Sequence, residues 1–531
     1  MLEDIQYLTF YFLSCLLRLW SSTLPGYIHP DEFFQSPEIM GEDIFGYEVF
    51  RPWEFEKSPQ CRSIIVPALT IGVPFSILNT INTLVMKLGF NDLINSQSIF
   101  LTERISYFIL SFGIDYTAYT IAKKFYPRNT FRSLLVFSSS YILLTFYTRP
   151  FSNSFESIVF ALCFCIYVKG SSPQINNSII KEAFPTNLGF LFGCLVALGI
   201  FTRITLDKLF ELIPTALGFS LTTIICVLID SLYFGVLKLT LEGKGNLIFT
   251  PLNNIIYNLD TKNLAEHGLH PRYLHFFNFF LLFGPITVLT MKDFYTTILN
   301  IRFSSRKTYK TGLCGFISLS LIPHQELRFL LPLIIPVIII PSDRIHIIPK
   351  PFWFIWVVFN LIFVLIFGQL HQAGIVPIMQ KLQYQSIGFR NCEEFNNNND
   401  YYYQFITNII FYKTYMPPRH LLGYHKSWRN TNVHVNVFDL AGSPLKFSAL
   451  NHYERTLLVT PSTTDLSKLF VDNDGRNDEK SKTITTTNIN NKNKLELELI
   501  DQHWPHLNAD DINRLFSNGM YLDVYLLILK E

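Results

Sequence analysis

The chain has 531 residues, is 49% hydrophobic, holds 50 Phe and only 16% charged residues, and has a mean hydropathy of +0.25. These values exclude one large soluble fold and point to an all-α polytopic membrane protein. A formal net charge of +2 leaves no broad basic face to neutralise a nucleic-acid backbone, so nucleic acid is not an expected partner.

A bilayer crossing needs roughly 20 apolar residues. The first such window, 5–24, follows acidic Glu3 and Asp4, lacks a positive leader or a small-residue cleavage pattern after Trp20, and reads as a retained span. Further windows lie near 64–86, 100–122, 133–148, 155–169, 187–206, 212–238, 273–291, 311–341 and 352–370, about ten in all. The window 311–341 is interrupted by Pro323, His324 and Glu326 and reads as two short helices meeting at a polar joint. Lys123, Lys124, Arg128 and Arg132 crowd one connection that the positive-inside rule places in the cytosol. Strict alternation from the first loop places it on the other side, so one window is re-entrant or interfacial; 64–86, with Pro67 and Pro74, is the first candidate.

The first loop, about 23–63, is rich in carboxylates and aromatics and poor in Lys and Arg, which suits the non-cytoplasmic side. Its residues Ile39, Ile44, Phe45, Val49 and Phe50 are expected on short helices at the bilayer surface. Residues 170–186 carry the sequon Asn176-Asn177-Ser178, which is glycosylated only if luminal. The loop 241–271 brings His267 and His270 close to Arg272 and His275, which suits either a metal or an interfacial anchor; no carboxylate accompanies them on one helix face, so no metal is expected. These features give a multi-span domain over 1–370 and a polar region over 371–472 packed on it. A disordered insert at 473–494 and a closing segment at 495–531, read as a small helix and strand, complete the chain. Six cysteines lie in apolar stretches and pack as small hydrophobes, whereas Cys61 and Cys392 lie outside them and would pair only in an oxidising lumen.

The chemistry-bearing stretch is Tyr27–Phe34, YIHPDEFF, where turn-forming Pro25, Gly26 and Pro30 surround His29, Asp31 and Glu32. Adjacent carboxylates at a membrane boundary suit a general base that removes a proton from a sugar hydroxyl. The plainer reading is a helix N-cap opened by Asp31 and Glu32 after Pro30. Because neighbours cannot point the same way, one carboxylate can act while the other orients or is solvated, and the sequence leaves open which. Arg18, Arg149, Arg203 and Arg328 fall in or beside apolar spans. There a cation lines a cavity, binds phosphate or snorkels, and Arg18 and Arg203 are the best placed to snorkel. TRPFSNSFE (148–156) sets Arg149 and Asn153 at the start of a span. PHQELRFLLP (323–332) sets His324, Glu326 and Arg328 at membrane depth, where Glu326 and Arg328 can simply pair.

HPDE at 29–32, RSIIVPAL at 62–69, TRPFSNSFE and HQELRFLLP, in that order, resemble the dolichyl-phosphate-mannose-dependent mannosyltransferases of the GT-C class. That family includes the GPI mannosyltransferases and two enzymes of N-glycan assembly. Within it, HPDEFFQSPEIM, FRPWEFE and KTYMPPRHLLG (413–423) look like the members that add a fourth mannose to the GPI precursor. Pro150 departs from the threonine-like residue of the family pattern. The resemblance implies a GT-C-type glycosyltransferase with a luminal first loop and a small mixed C-terminal region, set among the lipids of the endoplasmic reticulum membrane. It implies inverting α-1,2 transfer without a cofactor, from dolichyl-phosphate-mannose to the GPI precursor. It also implies Asp31 or Glu32 as the base and His29 as a shaper of the loop; the polar residues in and beside the spans make Arg149, Asn153, Arg203, His324, Glu326 and Arg328 the candidates for binding donor phosphate or substrate. The alternatives are a sister enzyme acting on the third GPI mannose or the dolichol-linked N-glycan precursor, a transporter or lipid scramblase, and a noncatalytic subunit.

Overall fold

The computed structural model describes residues 2–170, 186–202, 213–241, 243, 246–266, 268–299, 307–388, 408–428, 435–443, 456–466, 469, 486–489, 493–510 and 512–530. Arg203, Asn176, His267 and Cys392 lie outside them, and Cys61 is a buried thiol. The chain forms two compact units, one of residues 1–22, 51–73 and 103–364, the other of 23–50, 74–102 and 365–531.

The protein is mostly helical. Among the described residues, Ile65–Lys87, Ser152–Gly170, Pro214–Tyr233 and Lys350–Leu370 are long and apolar enough to cross a membrane, and Asn187–Phe201, Leu274–Phe283 and Leu327–Ser342 are shorter apolar helices. The helix Lys350–Val364 leaves Phe354, Ile355, Val357 and Leu361 exposed, and Leu2–Ser22 leaves Leu8, Phe10, Phe12 and Trp20 exposed. Apolar faces of this extent have no place in water and suit a multi-pass membrane protein.

The segment 133–148 is not one helix. It divides into Thr130–Ser138, Tyr141–Thr145 and a 3-10 turn Phe146–Thr148, because the serine run at 138–140 interrupts it and the Ser140 hydroxyl accepts from the Leu143 N–H, capping the second piece. Residues 311–341 do divide at a joint. A helix Lys307–Ser320 ends before Pro323, and a 3-10 run Leu327–Leu333 precedes Ile334–Ile339.

Inside the first unit, the buried side chains of Arg18, Asp115 and Asp230 have polar partners. Arg18 does not snorkel: it is fully buried, with Nη1 and Nη2 donating to the two carboxylate oxygens of Asp115 at 2.8 and 3.1 Å, and Nη1 also reaching Ser111 Oγ at 3.0 Å. Tyr11, two turns earlier on the same helix face, donates to Asp115 Oδ2 at 3.1 Å. Asp230, on the apolar helix Ile213–Tyr233, accepts from Ser63 Oγ, the Ile64 N–H and Thr250 Oγ1 at 2.9, 3.1 and 2.9 Å.

The second unit is built on a six-stranded sheet. Its strands are β1 (Asn408–Phe411), β2 (Asn436–Asp439), β3 (Thr456–Pro461), β4 (Thr486–Ile489), β5 (Asn493–His503) and β6 (Leu522–Lys530), in the order β2-β1-β3-β6-β5-β4. β1 runs parallel to β2 and β3, and β3–β6, β6–β5 and β5–β4 are antiparallel. Ile410, Tyr412, Leu458, Leu466, Leu469 and Leu527 form its buried core. Of the expected disordered stretch 473–494, Thr486–Ile489 and Asn493 onward are strand, consistent with the β-propensity of a threonine run; the other residues of that stretch lie outside the described ones. Ile39 is fully buried in this unit, so it packs in the protein instead of facing a bilayer surface.

Asp115→Ala strands the Arg18 guanidinium and should lower stability in detergent by about 3–5 kcal/mol, while Arg18→Met with Asp115→Leu should recover most of the loss. An additive double variant in thermal denaturation would refute this pairing. In the second unit, His506 is buried, its Nδ1 accepts from the Gly374 N–H at 3.2 Å, and burial, reinforced by the charges of His371 and His503, pushes its pKa down to about 3. The unfolded chain therefore takes up a proton near pH 6.5 that the folded chain refuses, and stability falls between about pH 6.5 and 3 by up to about 1.4 kcal/mol per unit. The chemical-denaturation midpoint should drop from pH 7 to pH 4, and His506→Asn should remove most of that drop.

Candidate active site

Pro25 and Gly26 turn the chain out of the first helix. The Gly26 N–H donates to the Gly368 carbonyl at 2.8 Å, and a Cβ on Gly26 would sit 2.4 Å from that oxygen, so only glycine fits. The Tyr27 N–H donates to the His371 carbonyl at 2.9 Å, and His371 Nδ1 lies 2.7 Å from the Tyr27 carbonyl. These bonds fix the entry to HPDE.

Asp31–Phe34 is a single helical turn, with the Glu32 N–H bonded to the His29 carbonyl at 2.9 Å and the Phe33 N–H to Pro30 at 3.1 Å. It opens with Asp31 and Glu32 after Pro30, as the helix-start reading expects, and its N-cap residue Pro30 supplies no side-chain bond. The two carboxylates diverge. Glu32 is fully buried and its Oε2 accepts the Ile28 N–H at 3.1 Å, which closes the loop on itself. The Asp31 side chain is 25% exposed and accepts from Gln35 Nε2, one turn on. His29 Nδ1 accepts the Asp31 N–H at 3.1 Å and lies 3.6 Å from Asp31 Oδ1, so the imidazole shapes the turn beside the exposed carboxylate.

The tail segment KTYMPPRHLLG packs on this loop. The Tyr27 hydroxyl donates to the Met416 carbonyl at 3.1 Å, and its ring meets Phe33 and Tyr415 edge-on at 4.8 and 5.4 Å. Burial first, then the Glu32 and Glu38 charges, holds the Tyr27 phenol well above its usual pKa, so it stays a neutral donor. Tyr415 also faces His29 and His371, with ring centres 6.4 and 5.4 Å away. Behind the loop, fully buried Glu38 and His420 meet: Glu38 Oε1 accepts the His420 N–H at 3.1 Å and lies 3.0 Å from its Nδ1, and Oε2 accepts the Phe50 N–H at 3.2 Å. Gly41 leaves room for this imidazole, since a Cβ there would lie 2.8 Å from His420 Cβ.

The remaining motifs meet one another within the first unit. Arg62 of RSIIVPAL donates through Nη2 to Glu54 of FRPWEFE at 2.6 Å and through Nη1 to Ser152 of TRPFSNSFE at 3.2 Å. Tyr147 and Ser157 both donate to the Leu331 carbonyl, at 3.2 and 3.1 Å, which ties that stretch to HQELRFLLP. Arg149 is fully buried and its Nη1 donates to the Thr145 carbonyl at 2.9 Å; Asn153 Nδ2 donates to Glu156 Oε2 at 3.3 Å. At the polar joint, Glu326 pairs with Arg328 on one oxygen and lies 2.7 Å from His324 Nε2 on the other, while His324 Nδ1 sits 2.9 Å from the Gly268 carbonyl. Gln325 accepts the His275 N–H at 2.8 Å and donates to the Arg272 carbonyl at 3.2 Å, so the histidine-rich loop is pinned to the joint. Both ring nitrogens of His324 are thus occupied by protein atoms.

Sequence reasoning missed Glu38, Asp115 and Asp230, which look like ordinary loop or span residues until a distant partner is known. The quoted tail segment contained His420 and Tyr415, but nothing in it indicated that they meet the first loop.

The Alg9-like mannosyltransferase family model matches residues 9–422, a range that begins in the first helix and ends inside KTYMPPRHLLG. The human GPI alpha-1,2-mannosyltransferase 4 is 34% identical over 480 residues, covering 81% of this chain and 78% of its own. GPI mannosyltransferase 4 of Schizosaccharomyces pombe is 31% identical, covering 86% and 84%, and that of Candida albicans 29%, covering 86% and 91%. No solved structure matches the chain. With its HPDE loop, its apolar helices and a match across most of its length, the chain belongs to the Alg9-like mannosyltransferase family, and so to the glycosyltransferases.

Proposed function

We propose that this protein is an α-1,2-mannosyltransferase of GPI-anchor biosynthesis. It moves a fourth mannose from dolichyl-phosphate-mannose to the third mannose of the GPI precursor, at the luminal face of the endoplasmic reticulum membrane. The relatives named GPI mannosyltransferase 4, in human and two yeasts, support the acceptor class. The exposed helix faces suit a protein whose donor and acceptor are both anchored in surrounding lipid.

The observation that carries the chemistry is the divergence of the two carboxylates. A base must reach its proton, and Asp31 is partly open while Glu32 is sealed against the Ile28 N–H. Asp31 takes the proton of the acceptor hydroxyl as that oxygen attacks the anomeric carbon of the donor mannose. The bond from that carbon to the phosphate oxygen breaks, and its electron pair leaves with dolichyl phosphate. One displacement turns a β-phosphate into an α-linkage, and the phosphate leaving group needs cations more than an acid. Arg149, Arg203 and Arg328 supply them in this reading, with Asn153, His324 and Glu326 orienting donor or substrate.

The test is mannose transfer in membranes from labelled dolichyl-phosphate-mannose to a three-mannose GPI acceptor, at matched expression. Asp31→Asn should lower the rate by about 10²–10⁴-fold. Glu32→Gln keeps an oxygen for the Ile28 N–H and should stay within about tenfold of wild type. Full activity in Asp31→Asn would remove Asp31 as the base, and transfer to a two-mannose acceptor instead would move the enzyme to the third position.

A further inference from the structure

We infer that a polar cavity of about 280 Å³, lined by Glu48, Arg419, Leu422, Tyr424, Asn436 and Phe438, is a subsite for a neutral hexose of the acceptor glycan outside the reacting sugar. The inference rests on the proposed reading that the acceptor is an oligosaccharide. The volume, just below the usual range for small-molecule pockets, is on the scale of a single sugar ring.

Its chemistry suits a polyol better than an anion. Glu48 and Arg419 bring opposite charges to one cavity, so a phosphate gains from the guanidinium and loses to the carboxylate, whereas adjacent hydroxyls can donate to one and accept from the other. Arg419 is already oriented: its Nη2 donates to the Val437 carbonyl at 2.9 Å, and its guanidinium lies 5.6 Å from the centre of the Phe50 ring. Phe438, only partly buried, offers apolar surface for the C–H face of a pyranose.

The cavity walls are the segments that hold HPDE. The Glu48 N–H donates to the Tyr424 carbonyl at 2.6 Å, and the Lys426 N–H to the Gly46 carbonyl at 2.9 Å. Arg419 is next to His420, whose partner Glu38 also holds the Phe50 N–H. A sugar seated here is therefore indexed to the same scaffold as Asp31, which is what acceptor-length selection requires.

The experiment uses the full chain in nanodiscs with Glu48→Gln and with a cavity-filling Val435→Trp at a further residue of the cavity wall, each checked for an unchanged melting temperature. Both should raise KM for a three-mannose acceptor by about tenfold or more, leaving kcat, the donor KM and the KM for a single-mannose acceptor unchanged. Equal effects on both acceptors, or none on either, would overturn the subsite. Saturation-transfer NMR with α-linked mannotriose reads it without turnover, so it remains testable if the wild type transfers to neither acceptor. Loss of the mannotriose signal in both variants supports the subsite; identical signals in variants and wild type, or binding of inorganic phosphate in preference to mannotriose, overturn it.

Discussion

The buried contact between Glu38 and His420 is the constraint on which the candidate site depends. Glu38 accepts from two backbone N–H groups and lies against the His420 imidazole, with both side chains fully sealed. A buried carboxylate without such partners would cost several kcal/mol, so the contact forms only when the first loop and the tail are both in place. These segments lie more than 380 positions apart in sequence. Through Gly41, which must stay small, and Tyr27, which reaches Met416, the same junction sets the path of HPDE. A short polar loop is thus held as firmly as an element of regular structure.

The membrane-depth charges follow the same physics. Arg18 is matched by Asp115, Asp230 by three donors, and Glu326 by Arg328 with His324. Replacing such pairs by apolar residues is often neutral or stabilising, so stability alone does not explain why they are there. What they supply is position. Asp230 fixes Ser63 and Ile64, and so the start of RSIIVPAL, and next to them Arg62 joins two further motifs.

The helical membrane class, the broken window 311–341 and the short helices of the first loop were all legible, because each is a local pattern of hydropathy or turn residues. What was not legible was partnership. Arg18 near a span end has the pattern of a snorkelling residue, and only the fold reveals Asp115 beside it. Ile39 has the pattern of an interfacial residue, and only the fold shows it to be core. The closing segment 495–531 is expected to hold a small helix and a strand, and it holds the short helix Leu515–Asn518 between β5 and β6; the six-stranded sheet was not legible, because β1 to β6 span more than a hundred residues and such non-local pairing has no signature in a window. The Glu326–Arg328 pairing could be read because its members are two residues apart.

The fold gives Asp31 and Glu32 different environments. Along the chain they are interchangeable. A single helical turn separates their side chains by about 100°, so if one faces the core the other faces the opening. Glu32 turns inward and spends its oxygen on the Ile28 N–H, which makes it part of the loop's own backbone bonding. Asp31 is left at the surface with an amide donor from Gln35 and an imidazole at its side. An inverting transfer needs one base on the acceptor side and a leaving group stable as an anion. In the function proposed above, one open carboxylate meets that need, while its buried neighbour closes the loop through the Ile28 N–H.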